Sequence, residues 1–307
     1  MTDAAQIAEA AAALNAGGLV ILPTETVYGL AADAANPRAV AKVYEAKGRP
    51  AFNPLIAHVA DLTTAQRIAR FDTRAEWLAQ RFWPGPLTLV LPVLDETAVC
   101  DLARAGLDTV AVRAPAHPIA QAVLQAFGGP LVAPSANRSG RPSPTTFADA
   151  MEETGAAAAF ALDGGPCRVG LESTVVSLLD APRLLRPGAV TREEIEAVAG
   201  SLAEAEADRK RSPGRLTRHY APNLPLRLNA LEREPNEVWI GFGPHGGAGF
   251  NLSPEGDLAE AAANLFAYLR AADRSMGAAG IAVAPIPDTG LGEAINDRLR
   301  RAAGFVG

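Results

Sequence analysis

From Leu19 to about residue 200, short β-rich runs alternate with stretches of helical spacing, and this alternation constrains the fold more than any other feature of the chain. LVILP is followed by a helical pattern near 37–46, then LIAHV, two short helical segments and LTLVLP. TVAVRAP from Thr109, a helix near 117–127 and LVAP at 131–134 continue the rhythm. A helix near 145–152, a strand near 159–162, STVVSLL, LLRPG and a helix near 191–199 complete it. The first internal helix is the best signalled: Asn36 can cap it, Pro37 occupies its first position, and Val40, Val43 and Tyr44 share a face. Lys47 then falls where helix gives way to loop. The expectation is an α/β fold.

The rhythm dissolves between about 201 and 222, where Arg209, Lys210, Arg211, Arg215 and Arg218 cluster in a polar stretch that reads as a linker. Beyond it, PLRLN, EVWIGF and IAVAP read as strands, with helices near 256–273 and 292–303. The chain of 307 residues therefore divides into 1–200, a linker at 201–222 and a small α/β unit at 223–307. Apolar residues at 49% and charged residues at 20% supply a sizeable core and exclude disorder as the main state. A net charge of −6 argues against a broad basic face for nucleic acid, while leaving weak contact with RNA open. Cys100 and Cys167 are too few for a metal cluster or disulfide framework, and the four histidines show no HExxH spacing, so no resident metal is expected. The N-terminal stretch reads as an alanine-rich amphipathic helix with Ile7, Ala11 and Leu14 on one side, unlike a signal peptide. No run nears the roughly 20 apolar residues that span a bilayer, and a reducing cytoplasm with no membrane contact is the expected setting.

Several loops carry chemistry. Gly241-x-Gly243-x-x-Gly246 formally matches a dinucleotide fingerprint, but that motif needs a helix to start within the glycines, and here the sequence continues as loop. No GxxxxGK[ST] is present, so any ATP chemistry must use another cradle. Lys47 and Arg49, one residue apart and followed by Pro50, Asn53 and Pro54, read either as cations complementing a helix C-terminus or as a phosphate clamp. PTETVYGL gathers hydroxyls, a carboxylate and a phenol at the carboxyl end of a strand, where open α/β sheets bind ligands; a turn bonded only to itself is the alternative. LVAPSANRSGRPSP places Ser135, Asn137, Ser139 and Ser143 beside Arg138 and Arg141 in a loop of functional length. Arg113 ends an alternating strand, and DGGPCRVGLEST leads to Ser173 and Thr174. His58 reads as a hydrogen-bonded core residue or a ligand contact. No GxSxG elbow or reactive-cysteine setting supports a nucleophilic triad.

Taken in order, PTETVYGL, KGRPxxNPLIxH, FWPGPLTLVL, VAVRAPxHP, PLVAPSAN, ESTVV and LRPG resemble the threonylcarbamoyl-AMP synthase family, also called YrdC-type, over about residues 10–200. SPGxxxxHYAP at 212–222 and the small α/β unit resemble the longer subgroup, which adds a linker and C-terminal domain. The resemblance implies a twisted, mixed, open α/β sheet around a large concave cavity with positive walls, plus a small Rossmann-like C-terminal domain. It implies an enzyme that joins L-threonine, bicarbonate and ATP into L-threonylcarbamoyladenylate and releases pyrophosphate. A threonylcarbamoyl transferase complex would then modify the adenosine beside the anticodon in tRNAs reading codons that begin with A.

Carried over by position, the resemblance gives Lys47 and Arg49 the ATP phosphates, with Asn53 beside them. It matches Thr109, Ser135, Asn137, Ser143 and Arg186 to nucleotide-contacting positions, and Thr26, His58, Arg113, the backbone at Ala133 and Ser173 to threonine-holding ones. Tyr220 matches a linker tyrosine that folds over the cavity, and residues 209–222 would close as a lid; Arg215 stands where the family often has methionine. Mg2+ would arrive with ATP on phosphate oxygens, needing no carboxylate cage. Two other readings stand beside this one: carbamoyl transfer from carbamoyl phosphate, whose hydrogenase-maturation proteins carry acylphosphatase and zinc-finger modules not seen here, and a noncatalytic RNA-binding module.

Overall fold

A computed structural model describes residues 2–203, 219–244 and 249–304. In chain order the first unit runs α1 (Ala4–Asn15), β1 (Val20–Leu22), β2 (Gly29–Asp33), α2 (Pro37–Lys47), β3 (Ile56–His58), α3 (Leu62–Ile68), α4 (Thr73–Phe82), β4 (Leu87–Pro92), α5 (Asp101–Arg104) and β5 (Thr109–Arg113). It continues with α6 (Pro118–Phe127), β6 (Leu131–Val132), α7 (Phe147–Thr154), β7 (Phe160–Ala161), β8 (Thr174–Ser177), β9 (Arg183–Arg186) and α8 (Arg192–Ala199). Beyond the linker come β10 (Leu226–Arg227), β11 (Glu237–Gly241), β12 (Gly249–Asn251), α9 (Leu258–Asp273), β13 (Gly280–Val283) and α10 (Leu291–Ala302).

Among the described residues the strands form a nine-stranded sheet, ordered β7-β1-β2-β6-β3-β5-β4-β8-β9, and a four-stranded sheet, β10-β13-β11-β12. The large sheet is mixed: β3 runs parallel to β5, in register Ile56 with Ala111 and His58 with Arg113, while β4 lies antiparallel to β5. Every pairing in the small sheet is parallel. The twisted mixed α/β architecture agrees with expectation.

Local chemistry explains the elements that position the cavity. The Asn36 side chain accepts from the backbone N–H groups of Arg38 and Ala39, Pro37 opens α2, and Gly48 leaves it at φ 58°. Such an N-cap contributes about 1 kcal/mol. One face of α2 then buries Val40, Val43 and Tyr44, and carries Lys47 inward with them. The helix expected from 145 starts at Phe147, because the Thr146 side chain accepts from the Asp149 N–H and so acts as the cap. Three elements were not expected. GLAAD forms β2, pinned on both edges by β1 and β6; α5 is a single turn; and β12 lies within the stretch read as continuous loop after Gly241. No helix opens within those glycines among the described residues, since the next begins at Leu258, while Gly246 and most of the linker (204–218) lie outside the described residues.

The small unit packs directly on the large one. Val27, Leu171 and Tyr220 belong to the same apolar cluster as Leu265, Phe266 and Leu299. A Cβ added at Gly170, whose φ is +72°, would come within 2.5 Å of the Ala263 Cα, so that close approach to α9 requires glycine. Ion pairs Arg270–Glu153 (3.0 Å), Arg274–Asp149 (2.8 Å), Arg192–Glu293 (2.6 Å) and Arg298–Glu172 (2.8 Å) cross the same boundary.

Candidate active site

A cleft with about 520 Å³ of empty space opens where the carboxyl ends of β3 and β5 meet the loops after β1, β6 and α2. Its wall includes Thr26, Arg49, His58, Arg113, Ala133, Ser135, Ser173 and Arg186, together with Glu172 and, from beyond the linker, His219 and Tyr220. Strand alternation does the placing: β3 and β5 are parallel and in register, so His58 and Arg113 stand side by side on one face.

One side of the cleft is built from side chains that hold one another. Arg113 donates from Nε to the Gly85 carbonyl (3.1 Å), from Nη1 to Thr26 Oγ1 (2.9 Å) and from Nη2 to Glu25 Oε1 (2.6 Å). Of the guanidinium's five N–H groups, two are left for a ligand. Glu25 also accepts from the Ala116 N–H (3.0 Å); although burial opposes its charge, Arg113 and these hydrogen bonds hold its carboxyl below the ordinary range. Thr24 caps its own turn through the Val27 carbonyl (2.6 Å), as the self-bonded alternative had it, whereas Thr26 reaches out to Arg113. Burial, reinforced by Arg113, pushes His58 down to about 3, so the ring is neutral. Its Nδ1 lies 3.1 Å from the Ile56 carbonyl. A carbonyl only accepts, so Nδ1 carries the proton and Nε2 is left as an acceptor. Ser173 shares a hydrogen bond with Thr88 (2.8 Å) and accepts from Arg186 Nη2 (3.1 Å), and Ala133 contributes backbone beside β3.

The other side is held by backbone. Arg49 donates from Nε to the Asn53 carbonyl (3.3 Å) and from Nη2 to that of Pro54 (3.2 Å), and burial lowers it to about 10. Arg186 donates from Nε and Nη2 to the Ser173 carbonyl (3.1 and 2.8 Å). Lys47 is buried, and its ammonium donates to the carbonyls of Ser135 and Asn137, tying α2 to the loop after β6. Burial, followed by the nearby Arg49 charge, pulls it well below an ordinary lysine. The Oδ1 atoms of Asn53 and Asn137 are buried with no partner. Ser143 donates to Glu172, which in turn accepts from Arg298 Nε.

Most of the expected residues therefore converge, with differences of depth. Lys47, Asn53, Asn137 and Ser143 stand behind the wall rather than on it: Lys47 faces loop carbonyls, and Ser143 faces a carboxylate. Thr109 shares the cavity face of β5 but begins the strand, four residues or roughly 13 Å before Arg113, and does not line the cleft. Tyr220 is buried in the cleft at φ 63°, its ring 3.9 Å from that of His219 and 5.3 Å from that of Phe266, with Arg298 over its face at 5.2 Å. Ala221 donates to the Gly140 carbonyl (2.7 Å), fixing this segment to the loop after β6. Of the lid expected at 209–222, residues 209–218 lie outside the described residues. Glu25, Glu172, His219 and Arg298 were not among the expected site residues. Glu25 and Glu172 stand inside the PTETVYGL and ESTVV motifs, but nothing local signals their arginine partners.

The family model described as "Telomere recombination" matches residues 12–188, and that described as "Threonylcarbamoyl-AMP synthase, C-terminal domain" matches residues 190–304. The threonylcarbamoyl-AMP synthase of Bacillus subtilis is 42% identical over 99% of this chain and 94% of its own length. The chain belongs to the threonylcarbamoyl-AMP synthase family. A second synthase of the family, from Pyrococcus abyssi, is 42% identical over 96% of this chain and 93% of its own. Among solved structures, P. abyssi Sua5 complexed with L-threonine superposes with a TM-score of 0.92 at 39% identity, covering 99% of this chain and 96% of that one. E. coli YciO, at 22% identity and a TM-score of 0.53, covers 61% of this chain and 91% of its own and shares the mixed α/β fold. No helix among the described residues is long and apolar enough to cross a membrane, and none of their His, Cys, Asp and Glu side chains group to hold a metal ion.

Proposed function

We propose that this chain condenses L-threonine, bicarbonate and ATP to L-threonylcarbamoyladenylate with release of pyrophosphate, a nucleotidyl transfer. The observation that carries the reading is one cleft with two unlike walls: Arg113, Thr26, His58 and Ser173 suit an amino acid, while Arg49, Arg186 and the loop at Ser135 suit a polyphosphate. Arg113 offers its two spare N–H groups to the threonine carboxylate. The bare Nε2 of neutral His58 accepts a hydrogen bond from the ammonium or hydroxyl without adding charge. Bicarbonate gives carbon dioxide and hydroxide, and the hydroxide takes the ammonium proton and leaves as water. The freed amine attacks the carbon dioxide and loses its second proton to solvent, and the resulting carbamate oxygen attacks the α-phosphorus as pyrophosphate departs in line. No bond to the protein forms, and positioning with charge neutralisation supplies the rate.

Asn53 and Asn137 support the nucleotide side from behind the wall, Asn53 through the carbonyl that Arg49 Nε binds and Asn137 through the carbonyl that Lys47 binds. Lys47 acts by holding the loop at Ser135 and Asn137, Ser143 and Thr109 complete the nucleotide side, and the backbone at Ala133 abuts threonine. Mg2+ belongs here as part of the substrate: Glu25 and Glu172, the carboxylates nearest the cleft, are both engaged by arginine, so the ion is held on phosphate oxygens. Tyr220 shields the labile carbamate and mixed anhydride from water, with residues 1–200 as the synthase unit, 201–222 as the lid and 223–307 as its anchor. The product passes in the cytoplasm to a threonylcarbamoyl transferase complex acting on tRNA. The test is pyrophosphate release by the purified protein with threonine and bicarbonate omitted in turn. Release requiring both supports the reading; release indifferent to both contradicts it.

A further inference from the structure

Glu172 is an awkward neighbour for a triphosphate. It lines the cleft among Arg49 and Arg186, the cations a polyphosphate needs, and is 7% exposed. A bare carboxylate there would repel the phosphates and draw those cations to itself. The structure meets this from the C-terminal unit. Arg298 of α10, 0% exposed, donates from Nε to Glu172 Oε2 at 2.8 Å across 126 positions of sequence, and from Nη2 to the Pro187 carbonyl at 3.0 Å. The other carboxylate oxygen, Oε1, accepts from Ser143.

We propose that Arg298 is a positioning residue of the nucleotide site: by neutralising Glu172 it keeps Ser143 in place and leaves Arg49 and Arg186 free for the phosphates. The C-terminal unit thus completes the ATP site instead of merely anchoring a linker. This rests on the synthase reading only in taking ATP as the ligand. The groups facing Glu172 are Arg186 and Lys47 from the synthase unit and His219, Tyr220 and Arg298 from beyond the linker. Burial holds His219 down at about 3 and Tyr220 above its ordinary value, so neither changes charge between about pH 6 and pH 8.5. The ATP phosphates titrate in parent and variant alike and cancel in the ratio of dissociation constants, whereas Lys47, whose charge Glu172 favours, is controlled by Glu172→Gln alone, which carries any change it makes.

The experiment is calorimetric titration of the full chain with ATP at about pH 6 and about pH 8.5, for the parent, Arg298→Met, Glu172→Gln, the double variant and Glu293→Gln. In Arg298→Met the buried Glu172 has lost its counterion and its pKa rises. Binding should weaken roughly tenfold at the higher pH and recover to within roughly threefold at the lower, where the carboxyl takes up a proton. Adding Glu172→Gln should restore binding at both pH values. Glu293→Gln, which opens the Arg192 pair across the same boundary but off the cleft, should bind as the parent does. Unchanged binding in Arg298→Met overturns the proposal, as does a loss that ignores pH or that Glu172→Gln fails to rescue. If Arg298→Met does not fold, Glu172→Gln alone decides: binding as tight as the parent's or tighter supports the proposal, and a tenfold loss overturns it. Parent protein that binds ATP yet releases pyrophosphate without threonine and bicarbonate would break the synthase reading while leaving this inference standing.

Discussion

The two walls of the cleft are built on opposite principles. On the Arg113 side, charged and polar side chains satisfy one another: Glu25 offsets the guanidinium, Thr26 accepts from it, and the ion pair is 5% exposed at either end. On the Arg49 side, three cations are held against backbone carbonyls, Lys47 and Arg186 buried and Arg49 half-buried, and two asparagine oxygens have no partner. The first wall is balanced in charge without a ligand and keeps only two Arg113 N–H groups and His58 Nε2 to offer; the second has positive charge left over. The lesson is that a small zwitterion meets a preorganised site, while an anion with several charges compensates burial that the protein itself leaves uncompensated.

The sharpest way to break this contrast is Arg113→Ala. It strands a buried Glu25 carboxylate, so thermal or denaturant unfolding should show a loss of about 3–5 kcal/mol along with lost threonine binding. A loss below about 1 kcal/mol would mean the wall is not held by that pair. Lys47→Met should cost less, about 1–2 kcal/mol at neutral pH, by freeing the Ser135 and Asn137 carbonyls, while ATP affinity falls roughly tenfold or more. The sign with pH follows from the lowered pKa of Lys47. Above that pKa the unfolded chain keeps a proton that the folded chain releases, so parent stability rises with pH towards about 10. The gap to Lys47→Met should therefore widen over that range, and a gap that narrows would contradict the burial argument. Smallest is His58→Gln, expected to cost about 1 kcal/mol at neutral pH. Because the folded ring titrates near 3 and the unfolded ring near 6.5, the parent loses stability as pH falls between those values, and the cost of the substitution should shrink across that window.

How much of this was legible in sequence depends on the range of the interaction. The capped start of α2 and the face bearing Val40, Val43 and Tyr44 are written within eleven residues, and they deliver Lys47 and Arg49 to the cleft. GLAAD was not legible as a strand, since glycine and alanine have little strand preference of their own and β2 exists because β1 and β6 flank it. The arginines are the clearest case. Arg113 could be singled out from its strand end, but its partner Glu25 is 88 positions away, and nothing in the helix expected near 292–303 marks Arg298 until α10 is seen against Glu172. Lys47 was expected at the phosphates, and its short-range signal could not reveal the two loop carbonyls 88 and 90 positions on that take two of its three donors.

The most direct measurement of the central claim, that one cleft joins an amino acid to a nucleotide through a carbamate, is mass spectrometry of the product formed from ATP, threonine and carbon-13 bicarbonate. The account predicts a threonylcarbamoyladenylate carrying the label in its carbamoyl carbon, absent when threonine is withheld. An unlabelled threonyl adenylate, or pyrophosphate with no adenylate that contains threonine, would contradict it.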